Sequence, residues 1–96
     1  MIKQPFQDVW NLILKNEGET FFQKRGGEFT YKIKNDKLNT SKTDYPLTKN
    51  NFAAAYDLCP FTGPGEITNT IRGSSYVWAI LHDKRITNFN NKTIVS

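Results

Sequence analysis

Residues 28–34 alternate between polar or basic side chains and apolar ones, and this pattern constrains the fold more than any other stretch of the chain. A period of two is typical of a half-buried β-strand, because successive side chains point to opposite faces of a sheet. Phe29, Tyr31 and Ile33 are therefore expected to face a core. The opposite face of this strand is polar and basic, and its residues are Thr30, Lys32 and Lys34.

Two pairs of turn-forming residues flank this strand. Gly26-Gly27 precedes it and suits a two-residue hairpin turn, because glycine tolerates positive φ at both positions. Asn35-Asp36 follows the strand and is expected to form a second tight turn. We therefore predict a three-stranded antiparallel β-meander within residues 20–45. Its strands are expected at 20–25, 28–34 and 37–43.

A helix is predicted before the meander, within residues 1–18. Five apolar side chains recur there at spacings of three and four, which places them on one helical face. Pro5 suits the first turn of this helix, and Gly18 suits its end. The apolar face consists of Phe6, Val9, Trp10, Ile13 and Leu14.

A second helix is predicted to begin after Thr48, whose hydroxyl suits the N-cap position. Leu47 and Phe52 flank this cap at the spacing of a hydrophobic staple. Pro60 cannot continue the helix and therefore ends it. The buried stripe of this helix is expected to consist of Phe52, Ala55, Tyr56 and Cys59.

The remainder of the chain predicts two shorter helices and a closing hairpin. A helix over 66–72 ends at Gly73, and Ser74 or Ser75 caps a third helix that continues to about residue 83. Two β-prone stretches around Asn90-Asn91 predict the hairpin, and a frayed tail is the alternative. The inner face of the third helix is expected to consist of Val77, Ile80 and Leu81.

Residues 48–96 resemble a winged helix-turn-helix domain, and the matching residues are Ile67, Ile71, Gly73, Ser75, Val77, Ile80 and Leu81. In that family the last helix enters the major groove of DNA, and its N-terminal residues contact bases and phosphates. The resemblance implies a contact surface made of Arg72, Ser74, Ser75, Tyr76 and Trp78, with Lys84 and Arg85 on the phosphate backbone. Free amides at Ser75, Tyr76 and Val77 would add phosphate donors. The alternative is that both aromatic rings lie in the core and that the serines only cap the helix.

The positive charge is concentrated in one segment. The chain carries a net charge of +4, and residues 24–42 contain six basic and two acidic residues, whereas the remainder is balanced. A local basic segment is typical of a surface that binds a polyanion, and a solvated surface that protects a sheet edge from aggregation is the alternative. The residues predicted to follow a phosphate backbone are Lys24, Arg25, Lys32 and Lys34, with Phe21, Phe22 or Tyr31 available to stack on bases.

Catalytic and metal chemistry are not expected from this sequence. Adjacent residues on a helix point about 100° apart, so His82 and Asp83 would not orient each other as a catalytic pair. Cys59 lies on an apolar stripe, where a buried and unreactive thiol is usual. One cysteine and one histidine cannot supply four zinc ligands. We therefore expect no enzyme, no metal and no cofactor.

Length and composition indicate a single domain over residues 1–96. No apolar run approaches the ~20 residues of a membrane span, and the first residues lack a signal-peptide pattern, so no membrane partner and a cytoplasmic location are expected. The excess of lysine over arginine and the abundant asparagine are typical of an AT-rich bacterial or phage gene.

The combined prediction is an α+β domain: an N-terminal helix, a three-stranded antiparallel meander over 20–45, and a winged-helix-like half over 48–96. Its predicted function is non-enzymatic binding of nucleic acid with low sequence specificity, with DNA favoured over RNA. The alternative is a protein-interaction module, such as a mobile-element inhibitor or accessory factor that docks on a nucleic-acid-handling enzyme. The oligomeric state does not follow from the sequence.

Overall fold

The computed structural model describes residues 4–59, Gly65 and residues 73–87, and the structural statements below concern these residues. Their architecture is of the mixed α+β class, as predicted, with an N-terminal helix, a three-stranded antiparallel sheet and further helices. In chain order the elements are α1 (Phe6–Lys15), β1 (Phe21–Phe22), β2 (Glu28–Phe29), β3 (Tyr31–Lys34), β4 (Lys37–Thr40), β5 (Leu47–Thr48), α2 (Lys49–Leu58) and α3 (Ser74–Leu81).

Helix α1 buries the face that its apolar spacing predicts. Val9, Trp10 and Ile13 are fully buried, whereas Leu14 at the margin of the stripe is 40% exposed. Pro5 lies at the N-cap position, one residue before the helix, and its carbonyl accepts hydrogen bonds from the amides of Asp8 and Val9. Gly18 follows the helix, and its amide donates to the carbonyl of Tyr31 at 3.0 Å. The end of α1 is thereby joined to β3.

The three-stranded sheet has the order β3-β4-β5, and its strands differ in part from the predicted ones. Asn35 and Asp36 have φ values of 54° and 60°, which confirms the predicted two-residue turn between β3 and β4. The third strand is β5, which pairs with β4 through Leu38 and Leu47, so the third strand is not the predicted segment 20–25. The predicted strand 28–34 is interrupted at Thr30 and is therefore divided into β2 and β3. The segment 20–25 contributes β1, which pairs with β2 in a separate two-stranded ribbon.

The prediction of a two-residue Gly26-Gly27 turn is wrong. Phe21 pairs with Phe29 and Phe22 with Glu28, so residues 24–26 form a three-residue loop. The carbonyl of Gln23 accepts a hydrogen bond from the amide of Gly26 at 2.8 Å. Gly26 alone of the two glycines has a positive φ, 94°, as a three-residue hairpin loop requires at its last position.

Helix α2 has the predicted cap and the predicted buried stripe. The hydroxyl of Thr48 accepts a hydrogen bond from the amide of Asn51 at 3.1 Å. Leu47 and Phe52, the residues of the proposed staple, are both fully buried. The stripe itself is buried at Phe52, Ala55, Tyr56 and Cys59.

Helix α3 buries its predicted inner face but has a different N-cap. Gly73 occupies that position, with φ 73° and no side-chain hydrogen bond, so neither serine is the cap. The positive φ of Gly73 disfavours any residue with a side chain. In addition, a Cβ at this position would lie 2.6 Å from the Cδ2 atom of Leu47, so a larger residue would also clash with that side chain. The inner face is buried at Val77, Ala79, Ile80 and Leu81.

Residues 82–87 turn after α3 and do not form the first strand of the predicted hairpin. The carbonyl of Asp83 accepts hydrogen bonds from the amides of Ile86 and Thr87, and Ile86 is 1% exposed. The hydroxyl of Thr87 donates to the carbonyl of Leu81 at 2.6 Å. The rest of that hairpin and the predicted helix over 66–72 lie outside the described residues, so the winged-helix arrangement stays a prediction.

The core lies between the sheets and the helices and is rich in aromatic rings. The ring centroids of Phe21 and Tyr31 are 5.3 Å apart, and those of Phe29 and Tyr76 are 5.0 Å apart in an edge-to-face arrangement. The hydroxyl of Tyr31 donates to the carbonyl of Ile13 at 2.6 Å, which joins β3 to α1. These contacts place the helices on the inner face of the three-stranded sheet and leave its other face to solvent.

Candidate nucleic-acid interface

The solvent face of the β3–β4 hairpin carries a compact group of lysines. Lys34 pairs with Lys37 across the turn and Lys32 pairs with Asn39, and the four residues share one face because side chains alternate along each strand. All four are exposed, whereas Tyr31 and Leu38 on the opposite face are fully buried. We call this group, consisting of Lys32, Lys34, Lys37 and Asn39, the lysine face.

The lysine face forms no ion pair within the described part of the chain. None of its three ammonium groups has a hydrogen-bond or ion-pair partner among those residues. The outward positions of β3, β4 and β5 include no acidic side chain, and the neighbouring acidic residues are Asp36 in the turn and Glu17, whose carboxylate accepts a hydrogen bond from the amide of Ile33 at the edge of β3. Three positive charges in such a small area generate a local potential that attracts a polyanion.

Other basic residues are engaged within the molecule. The ammonium group of Lys49 lies 5.9 Å from the centroid of the Trp10 ring and donates to Oε1 of Gln7. The ammonium group of Lys24 lies 5.9 Å from the centroid of Trp78 in α3. Arg25 is exposed at the tip of the β1–β2 hairpin. Lys24 is therefore associated with α3, and both Lys24 and Arg25 lie in the β1–β2 hairpin and not in the lysine face.

The N-terminal turn of α3 is partly covered by its neighbours. Nε2 of Gln23, in the β1–β2 hairpin, donates to the hydroxyl of Ser75 at 2.9 Å. The amides of Tyr76 and Val77 both donate to the carbonyl of Gly73, so two of the three amides expected to be free already have a partner. Tyr76 packs its ring against Phe29, as the core alternative proposed. Ser74, Ser75 and Tyr76 are each half-buried.

Trp78 and His82 form a stacked pair on the outer side of α3. Their ring centroids are 5.3 Å apart with an interplanar angle of 20°. Nδ1 of His82 lies 3.1 Å from the carbonyl oxygen of Trp78, which fixes the orientation of the imidazole. Both side chains are half-buried, and Trp78 packs in part against the core. This pair, together with Lys24, forms a second, separate surface.

Arg85 has a structural role that sequence reasoning missed. Its guanidinium bonds both carboxylate oxygens of Asp83, at 2.8 and 2.9 Å, and also donates to the carbonyl of Thr20. Its Cζ atom lies 4.0 Å from the centroid of the Phe21 ring. Burial acts to raise the pKa of Asp83, but hydrogen bonds from Arg85 outweigh this and lower the pKa. Arg85 therefore ties the turn after α3 to the segment before β1.

The predicted site residues do not form one continuous surface. Lys32 and Lys34 lie on the solvent face of the sheet, whereas α3 packs on the side of its inner face, with Gly73 against Leu47. Lys84 is exposed beyond α3, and Arg72 lies outside the described residues. Lys37, which was not among the predicted contact residues, joins the lysine face because the Asn35-Asp36 turn places it opposite Lys34.

The residues considered for catalytic or metal chemistry are His82, Asp83 and Cys59. His82 bonds the carbonyl of Trp78 while Asp83 bonds Arg85, so the two residues do not orient each other. Cys59 is buried at 7% exposure. Over residues 4–59, 65 and 73–87, no three side chains of His, Cys, Asp or Glu cluster in a way that could hold a metal ion.

Comparison of this chain with known proteins identified no relative. No protein-family model, curated protein or solved structure matches this chain. The helices of the described part are all too short or too polar to cross a lipid bilayer. The lysine face and the Trp78–His82 surface are therefore the features of this protein that indicate a function.

Proposed function

We propose that this protein binds nucleic acid with low sequence specificity through the lysine face. The observation that carries the proposal is the group of three exposed ammonium groups, Lys32, Lys34 and Lys37, with no partner among the described residues. Lysine is a compact point charge on a flexible stem, which suits contact with phosphates and gives little discrimination between bases. DNA is the favoured target, as the sequence predicts.

The alternative reading of the same lysines, a solvated surface that only keeps a sheet edge from pairing, is less well supported. Charged residues protect an edge when they lie on an edge strand. Here Lys37 lies on β4, which has a neighbour on each side, and the outer edge of β3 is occupied by residues 17 and 18. Two of the outward backbone groups of β3 are thus already bonded, which reduces the need for charged residues at this edge, and a polyanion partner explains the grouping of all three lysines better.

The salt dependence of binding tests this proposal quantitatively. If three lysines each neutralise one phosphate of a duplex, log K should fall with log salt concentration at a slope of about −3. Each lysine removed should reduce that slope by about one. Fluorescence anisotropy of a labelled DNA duplex, titrated with the protein at several salt concentrations, measures both quantities.

A matched pair of variants separates the lysine face from net charge. The variant Lys34→Gln/Lys37→Gln removes two charges from the face, and Lys15→Gln/Lys42→Gln removes two exposed charges that are neither in the face nor among the predicted contact residues. We expect the first variant to reduce the slope to about −1 and the second to leave it near −3. The proposal is wrong if duplex DNA does not bind even at low salt, or if both variants weaken binding equally.

A protein-docking role is the second candidate function, and the Trp78–His82 surface is the observation that favours it. Tryptophan is enriched among the residues that dominate binding energy at protein interfaces. Tyr45, another aromatic residue that such an interface could use, is half-buried, and Phe61 lies outside the described residues. Loss of a copurifying protein in a folded Trp78→Ala variant, with DNA binding unchanged, would favour this function over the first.

A further inference from the structure

The lysine face has no aromatic ring with which to hold an unpaired base. Its members are three lysines and one asparagine, and the aromatic residues of the same hairpin point the other way. Tyr31 and Phe21, two rings that the sequence offered for stacking, are 1% and 0% exposed. Proteins that bind single strands without sequence preference combine a basic groove with exposed aromatic rings on which bases stack. Within the described residues, no exposed aromatic ring belongs to the lysine face, so the stacking half of this combination is missing from it.

Phe22 is the one ring offered by the sequence that remains available, and its surroundings are unfavourable. Its side chain is 55% exposed, but it lies in the β1–β2 ribbon and not in the three-stranded sheet. Its cross-strand partner is Glu28, whose exposed carboxylate would stand beside any phosphate that accompanied a stacked base. Phe22 therefore does not supply the stacking platform that the lysine face lacks.

The lysines are held on a rigid support. The Asn35-Asp36 turn fixes the tip of the hairpin, and the amide of Lys49 at the start of α2 donates to the carbonyl of Asp36 at 3.0 Å. The other side of β3 is fixed because the amide of Gly18 donates to Tyr31 and Oε2 of Glu17 accepts from the amide of Ile33. In regular β-structure the Cα atoms of Lys32 and Lys34 are about 7 Å apart along the strand, and those of Lys34 and Lys37 are about 5 Å apart across the hairpin.

From these observations we infer that the target of the lysine face is double-stranded, and that the face contacts its phosphate backbone and not its bases. This inference depends on the proposed function and specifies its target. A duplex offers the higher and more regular charge density, and its phosphates project outward without any need for bases to be unstacked. The face carries no arginine, whose fork pairs with guanine in the major groove, so base identity has little influence on binding.

The preference for a duplex has an expected size. The salt slope is about −0.9 per neutralised phosphate on a duplex and about −0.7 on a single strand. We assume three phosphate contacts on either target and equal affinity for the duplex and the single strand at about 1 M salt. The difference between the two slopes then gives about sixfold tighter binding of the duplex at about 50 mM salt. A stacking contribution at the single strand would remove or reverse this preference, because each stacked base adds about 1–3 kcal/mol.

The test is a competition experiment with the full chain. A labelled mixed-sequence DNA duplex of about 20 base pairs is displaced by the unlabelled duplex, by a duplex of shuffled sequence, or by either isolated strand. We expect equal displacement by the two duplexes and about sixfold weaker displacement by the strands. Phe22→Ser should leave all of these affinities unchanged, and the folding of this variant is checked by its unfolding transition.

The outcomes separate the inference from the proposed function. Equal or tighter binding of the single strands, with loss of binding in Lys34→Gln/Lys37→Gln, overturns the duplex inference and leaves the proposed function standing. A weaker affinity of Phe22→Ser for single strands leads to the same conclusion. If neither duplex nor single strands bind at about 50 mM salt, where three phosphate contacts should be most favourable, the proposed function itself fails.

Discussion

Lys34 and Lys37 lie directly opposite each other in the β3–β4 hairpin, one residue on each side of the Asn35-Asp36 turn. Like charges at such positions repel each other and lower the stability of the sheet. Neither ammonium group is compensated by an acidic partner among the described residues. The repulsion between the two lysines therefore lowers the free energy of unfolding of the unbound protein, and a bound polyanion would screen this repulsion.

Neutralising one member of this pair should have opposite effects on stability and on binding. Lys34→Gln is expected to raise the free energy of unfolding by a few tenths to about 1 kcal/mol and to weaken duplex binding. Urea unfolding and anisotropy measure the two effects on the same sample. The stability gain should shrink at high salt, where the repulsion is screened. A variant that loses stability as well as binding contradicts this account of the pair.

Gly73 should be the least replaceable of the described glycines. Gly73→Ala places a Cβ in a left-handed conformation, which costs roughly 1–2 kcal/mol, and also against Leu47 at 2.6 Å. Gly18→Ala is the matched control, because Gly18 also has a positive φ but has nothing within 4 Å of an added Cβ. The free energy of unfolding should fall further for Gly73→Ala than for Gly18→Ala. Equal losses would show that contact with Leu47 carries no penalty.

The Asp83–Arg85 pair should contribute stability that depends on pH. Because the pKa of Asp83 is lowered in the folded protein, its contribution is present above the ordinary aspartate pKa of about 3.9. That contribution is lost as the pH falls through the depressed folded pKa. Asp83→Asn should therefore cost about 1–2 kcal/mol near neutral pH, since both partners are partly exposed.

Unfolding experiments across the acid range separate this pair from the other carboxylates. The difference in free energy of unfolding between the wild type and Asp83→Asn should narrow as the pH falls below about 4. A difference that stays constant with pH would mean that the effect of the substitution comes from lost packing and not from the charge of Asp83.

The hydrogen bond between Gln23 and Ser75 distinguishes the observed role of this serine from a capping role. If the hydroxyl of Ser75 serves Gln23, the variants Gln23→Ala and Ser75→Ala should not be additive, with a coupling energy of about 0.5–1.5 kcal/mol. If Ser75 capped α3, its substitution would cost the same with or without Gln23. A double-mutant cycle followed by urea unfolding provides the measurement, and additive effects would contradict the structural assignment.

The parts of the fold that the sequence predicts are those that local chemistry determines. Asn35-Asp36 tolerates positive φ at both positions, so the turn and the register that follows from it could be predicted. Thr48 and the stripe from Phe52 to Cys59 could be predicted because an N-cap and a helical period are local patterns. Gly26-Gly27 was misassigned because two adjacent glycines fit several loop types, and the pairing of Phe21 with Phe29 selects the longer loop.

The parts that the sequence did not predict depend on contacts between distant segments. Arg85 contacts Thr20 and Phe21, and no spacing along the chain indicates that these residues meet. The strand β5 is only two residues long, and Thr48 serves both as its end and as the cap of α2, so no alternation marks it. The lysine face was predicted in part, since Lys32 and Lys34 follow from alternation, whereas Lys37 was not included although the Asn35-Asp36 turn places it opposite Lys34.

The manner in which Glu17 and Gly18 meet β3 has a consequence for the behaviour of the protein at high concentration. The outward amide of Ile33 and the outward carbonyl of Tyr31 are both bonded to these two residues. These two bonds occupy part of the edge that β3 would present to a neighbouring molecule, and an exposed strand edge is the usual starting point of intermolecular β-sheet growth. The segment that ends α1 therefore opposes self-association through β3, a role that charged side chains on edge strands have in other sheets.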